Sequence, residues 1–244
     1  MSLNFKVTIF AMVFMLMIVT DALRAFAFQA DQQGQLSTDD PSAESSVEVK
    51  VEIANLVYGG SDARTGVCFS TGFLDLLTRE TNIKINRDPV DVAADSDDLF
   101  KYPFVVFTGE GDFTLTDREI KNLRHYLESG GFILASAGCS NSPWHKAFRR
   151  EFKRIFPDRK LDRIALEHEI FHSVFEIDHL QTRRQAGEVE LDGLQFNGRV
   201  GLVYSPQGLN DTGNAGGGCC CCGGNEIRNA KYLNANFLAY ALTK

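Results

Sequence analysis

The sequence predicts an α/β fold: a mainly parallel central sheet flanked by helices and finished by a C-terminal β-hairpin and helix. Three stretches carry that expectation. Residues 102–139 read as one strand, helix, strand unit, and a crossover through a helix makes its two strands parallel. Residues 188–205 place Asn197-Gly198, a two-residue turn signal, between VELDGLQF and RVGLVYS. Residues 227–242 close the chain with Ala230, Leu233, Phe237 and Ala241 at helical spacing.

At the start of the chain, Lys6 precedes an apolar run from Val7 to Thr20, shorter than the roughly 20 residues that span a bilayer. Ala25-Phe26-Ala27 then sets small residues where a signal peptidase reads them, so residues 1–27 are expected to be a signal peptide cut after Ala27. An uncleaved membrane anchor is the alternative. Either way the domain is expected to be exported to a periplasmic or other extracytoplasmic space, with membrane contact confined to this segment during export. Residues 28–46 are polar and poor in large apolar groups, a flexible linker by composition. A single α/β domain is expected over 47–244.

Within that domain VEVKVEIANLVY alternates and then turns apolar, predicting a strand over 51–58. A glycine turn follows, from Tyr58 through Gly59, Gly60 and Asp62 to Arg64. Phe73 to Thr78 reads as part of a helix, and Asn82 to Val92 as a short returning strand. Pro103 opens Phe104-Val105-Val106-Phe107, apolar and β-branched like a strand buried on both faces. Thr116 with Glu119 makes a capping box for a helix bearing Ile120, Leu123 and Leu127, which Gly130-Gly131 ends. Phe132-Ile133-Leu134-Ala135 is the second buried strand. Over 143–156, Trp144, Phe148, Phe152 and Ile155 share one helix face, and Arg149, Arg150, Lys153 and Arg154 form a solvated one.

Ligands of parallel sheets meet the loops at the carboxyl ends of the strands. If strands 51–58, 103–107 and 132–135 are neighbours, Asp62, Arg64, Glu110 and Ser136 gather at one edge, beside glycines that leave room for a small molecule. Arg64 would hold an anionic or polyhydroxylated ligand in two bonds, while Asp62 and Glu110 orient it or accept hydroxyl protons. The bland alternative is that Arg64 bridges the two acids to hold the loops together. With 32 acidic against 25 basic residues, a net charge of −7 and no basic cluster, the chain is a poor match for nucleic acid.

The succession YGGSDAR, LFKYPFVVFTGEGDFTLTDREIKNLRHYLESGGFILA, FRREFKRIFPD, HEIFHSVFEI, GRVGLVYSPQGL and NANFLAYAL resembles the bacterial domain-of-unknown-function family 4159 over about residues 48–244. The resemblance implies a flavodoxin-like, class I glutamine amidotransferase-like α/β sandwich in exported or membrane-associated proteins, with no established activity. It also implies that His172, from the later segment, closes the cleft. Glutamine amidotransferases carry a cysteine at a strand-to-helix elbow, but Gly138-Cys139-Ser140-Asn141 lacks the Gly-x-Cys-x-Gly turn, so no catalytic residue is assigned.

His168-Glu169-Ile170-Phe171-His172 matches H-E-x-x-H, which as a zinc site needs a helix and a third ligand downstream. Its β-branched and aromatic neighbours argue for a hydrogen-bonding pair of histidines instead, so no metal and no cofactor are expected. Cys219 to Cys222 stand in a row between glycines, whereas zinc sites space their cysteines, and a mobile loop is the leading reading. An exported cell-envelope domain that binds a small polar ligand or an envelope protein comes first among the functions. A hydrolase of a small polar or carbohydrate-like substrate is second, and a metal-dependent peptidase third.

Overall fold

A computed structural model describes residues 50–59, 64–65, 68–182, 189, 191–211 and 226–244, all within the unit Val49–Lys244. The expected signal peptide and linker, Asp62 and the cysteine run Cys219–Cys222 lie outside the described residues. Eight strands make one sheet: β1 (Ala54–Val57), β2 (Arg64–Thr65), β3 (Val90–Ala93), β4 (Phe104–Glu110), β5 (Phe132–Ala137), β6 (Asp162–Arg163), β7 (Asp192–Phe196) and β8 (Arg199–Ser205). Their order is β3-β1-β4-β5-β8-β7-β6, with β2 paired to β4 off that path. β3, β1, β4, β5 and β8 are parallel; β7, β6 and β2 pair antiparallel with their neighbours.

Taken in chain order, the five parallel strands lie in the sequence second, first, third, fourth, fifth. That is the flavodoxin-like winding, whose order reverses between its first and third strands, here β1 and β4. Helices α1 (Gly72–Glu80) and α4 (Ala230–Thr243) cover one face, where Phe73, Leu77, Leu233 and Phe237 pack with Phe104 and Phe132. Helices α2 (Asp117–Glu128) and α3 (Ser142–Ile155) cover the other, where Leu123, Trp144 and Phe148 pack with Phe107 and Tyr204. The result is a three-layer sandwich.

Local sequence explains the elements it predicted. Thr116 accepts from the Glu119 N–H at 3.2 Å and the Glu119 carboxylate accepts from the Thr116 N–H at 2.6 Å, the reciprocal cap expected of α2. Asn197 and Gly198 both take positive φ, 52° and 82°, which a two-residue turn matching the right-handed twist of β7 and β8 requires. Other expectations shift. The strand over 51–58 contracts to Ala54–Val57, and the one over 82–92 to Val90–Ala93, because Pro89 has no N–H to offer and continuous pairing begins only after it. β4 and β5 extend past their apolar runs to Glu110 and Ala137, so Glu110 and Ser136 belong to strands and not to loops.

The cationic face of α3 is exposed, as expected, and its arginines also form ion pairs. Arg149 reaches Asp192 at 2.6 Å, while Arg150 and Arg154 both grip Glu151, which is 1% exposed, at 2.8 and 2.5 Å.

Candidate functional site

The carboxyl ends of β1 and β4 flank the reversal of strand order, the place where a flavodoxin-like sheet leaves a crevice. Helix caps tie down the chain around it. Glu119, besides capping α2, accepts the Gly59 N–H at 2.8 Å and so fixes the end of β1. Asn141, the N-cap of α3, accepts both the Trp144 N–H at 3.0 Å and the Gly111 N–H at 3.1 Å, fixing the end of β4. Tyr58 donates its hydroxyl to the Thr108 carbonyl at 3.0 Å and accepts from the Trp144 indole at 2.6 Å; burial pushes its pKa well up, so it stays a neutral tie.

Two of the expected residues meet at this edge. Arg64 lies in β2, and its Cα partner in the antiparallel pair with β4 is Glu110. A short strand therefore stands where a turn was expected, and it carries Arg64 to the mouth of the crevice. Asp62 lies outside the described residues. Gly138 allows β5 to end against β4: a Cβ there would stand 2.7 Å from the Gly109 carbonyl oxygen and 3.3 Å from Cγ of Glu110. Ser136 lies at the same edge but beneath its surface, with no exposure. Its hydroxyl donates to Asn210 Oδ1 at 2.7 Å and accepts the Leu209 N–H at 2.6 Å, so it positions the segment that follows β8.

His172 stands elsewhere in the bonding pattern. It ends a 3-10 turn, Glu169–Phe171, with one ring nitrogen 2.7 Å from the Leu166 carbonyl and the other 2.6 Å from Glu176. Those two bonds, the carbonyl first, raise its pKa. His168 accepts the Ile170 N–H at 3.1 Å and caps the same turn. The turn packs on α4 through Phe171 and Phe237, and Asn236 binds the backbone of Phe171, Val174 and Phe175. Among the described residues these histidines fix a loop.

Buried polar groups reveal residues that the sequence did not single out. Among the described residues twelve polar or charged side chains are buried, and eight of them cluster at the carboxyl edge: Ser70, Thr108, Ser136, Ser205, Asn210, Asp211, Glu226 and Asn234. Pairing register sets Thr108, Ser136 and Ser205 side by side across β4, β5 and β8. Asn210 roofs the row, donating to Thr108 Oγ1 at 3.2 Å while it accepts from Ser136, and its carbonyl takes the Ser70 N–H at 2.8 Å. Asn234 of α4 donates to the Leu209 carbonyl at 2.9 Å. Ile227 donates its N–H to the Gly208 carbonyl, and Glu226 Cγ lies 3.6 Å from where a Cβ on Gly208 would be, which puts that buried carboxyl at the same turn. One available sign was Asn210-Asp211 following an apolar strand. It carried no weight because β8 had been read only as a hairpin arm, not as a parallel neighbour of β5.

The sequence profile of a domain of unknown function, DUF4159, matches residues 52–242. The chain belongs to the DUF4159 family. The match spans every strand and helix described above, so the edge cluster lies inside the DUF4159 domain. No curated protein matches the chain. Among the described residues, no group of three or more His, Cys, Asp or Glu could hold a metal ion, and no helix is long and apolar enough to cross a membrane. Cys68, beside the edge, is disulfide-bonded, whereas Cys139 at the end of β5 is a thiol.

Proposed function

We propose that this DUF4159 domain binds a small polar ligand at the carboxyl edge of β1, β4, β5 and β8, and does so outside the cytoplasm. The concentration of buried polar side chains at that one edge carries the reading. Burying such groups costs free energy unless they are bonded, so folds scatter few of them through their cores. Here they gather at the point where doubly wound sheets take ligands. Arg64, in register with Glu110, is the residue proposed to hold the ligand, with Asp62 and Glu110 orienting it. Ser136 acts from beneath, through Asn210 and Leu209, and His172 from its own loop.

The test is binding by the mature chain. A panel of sugars, small carboxylates and inorganic phosphate is screened by thermal shift, and hits are measured by calorimetry. Arg64→Ala is expected to abolish the response while leaving unliganded stability within about 0.5 kcal/mol of wild type, as for a residue that serves the ligand and not the fold. Unfolding of that variant would instead make Arg64 a structural tie between loops. The buried carboxyls of Asp211 and Glu226 favour a second reading, hydrolysis of a small polar or carbohydrate-like substrate, since carboxyls can serve as general acid and base. Product release from any bound member of the panel would support it.

A further inference from the structure

Asn234 and Asn236 lie two residues apart on α4, and neither has any exposed surface. Asn236 spends every polar atom: its oxygen accepts from Val174 and Phe175, and its nitrogen donates to the carbonyls of Phe171 and Phe175. Asn234 does not. Its nitrogen binds the Leu209 carbonyl, but its Oδ1 is buried without a partner. Ser205, equally buried, has an Oγ without any partner. Both flank the same short segment, for Leu209 gives its N–H to Ser136, the register neighbour of Ser205, and its carbonyl to Asn234. Gln207 Oε1, in the turn between them, is a third buried oxygen without a partner. Such atoms are uncommon in folded proteins, and three around one five-residue turn mark a place built for a guest group.

The chemistry of the guest follows from the atoms left over. Asn234 Oδ1 only accepts, so the guest must donate to it; Ser205 can both donate and accept. A deprotonated carboxylate or phosphate oxygen cannot donate to Asn234, and an anion would meet the carboxyls of Glu110, Asp211 and Glu226 at this edge. An ammonium could donate to both oxygens, but it cannot accept the Ser205 proton, which would stay buried without an acceptor. A hydroxyl does both. We propose that the edge site takes a neutral polyhydroxylated ligand, one hydroxyl of which accepts from Ser205 Oγ and donates to Asn234 Oδ1. This rests on the edge being the ligand site, and it selects the polyhydroxylated class over the anionic one that Arg64 alone would also suit.

Ser205→Ala removes a hydroxyl that bonds nothing in the unliganded fold, so the variant should be as stable as wild type or more so. The full mature chain, wild type, Ser205→Ala and Arg64→Ala, is titrated with glucose, galactose, N-acetylglucosamine, inorganic phosphate and ethanolamine. The expected result is binding of at least one sugar, weakened roughly ten-fold by Ser205→Ala, the scale of one neutral hydrogen bond. Binding of phosphate or ethanolamine but no sugar overturns the inference. So does a sugar affinity that Arg64→Ala destroys and Ser205→Ala leaves untouched, an outcome that spares the edge site itself. Sugar binding indifferent to both variants removes the site as well. A sugar-bound crystal structure in which an ordered water, not the sugar, bridges Ser205 and Asn234 also counts against it.

Discussion

Glu151 sits in a run of cations, yet its carboxylate is almost wholly buried and accepts the Leu115 N–H at 3.1 Å as well as two guanidinium groups. The two arginines keep much of their surface in water, so losing the acid would let them turn outward. The Leu115 N–H has no such escape. Glu151→Ala is therefore expected to cost about 1–3 kcal/mol, the penalty of one buried donor left unbonded, in urea unfolding. A change below about 0.5 kcal/mol would mean that water replaces the carboxylate. Residues of this kind show how far the sequence could be read. Thr116 and Glu119 were legible because a capping box closes within one turn. Glu151 was not, because its partner lies 36 positions away and helical spacing alone says nothing of that contact. Arg64 and Glu110 were legible as residues near strand ends; Asn210, Asp211, Glu226 and Asn234 needed the sheet order before their burial meant anything.

Between elements, α3 is joined to β8 and β7 through one polar cluster within a mainly apolar contact. His145 stacks on Tyr204 and shares a hydrogen bond with its hydroxyl; Arg149 lies over the same ring at 5.3 Å and reaches Asp192. Burial, and then the Arg149 charge, lower the His145 pKa from its ordinary 6.5; Asp192 opposes them and Lys146 adds a little. A histidine whose pKa is depressed on folding binds its proton more readily when unfolded. Its stabilisation is thus complete above pH 6.5 and falls as the pH drops from there towards the lowered folded value. His168 shifts the same way through burial, and His172 the opposite way, so only a difference isolates the effect. Urea unfolding as a function of pH should show wild type losing stability faster than His145→Gln as the pH falls below 6.5. Parallel curves would place the proton elsewhere. Elements themselves were the most legible level: strong periodicity and local turn chemistry found α2, α3, α4 and the hairpin. Strand ends were misplaced because they depend on partners, Pro89 shortening one ladder and β2 lengthening another.

For the whole chain, the parallel neighbours β1, β4 and β5 follow from alternation of strand and helix, whereas the way the sheet continues beyond β5 does not. The hairpin was visible, but not that β8 would pair with β5 and bring a fourth strand end to the carboxyl edge. The proposed export belongs to this scale too, since it would decide which compartment supplies a ligand. The exported form should begin at Phe28, as read by N-terminal sequencing, because the apolar run is too short to span a bilayer and Ala25-Phe26-Ala27 suits cleavage. An intact Met1 in membrane fractions would mean that the segment stays on as an anchor.

Among the described residues the sheet ends on β3 and β6 at its two borders. β3 is four residues long, preceded by Pro89 and carrying Asp91 on its exposed side, and β6 is only two residues, Asp162 and Arg163, both charged. A proline without a donor and a two-residue strand of charged side chains are poor templates for another strand. Neighbouring molecules at high local concentration are thereby denied a border to continue, and the sheet is guarded against edge-to-edge aggregation.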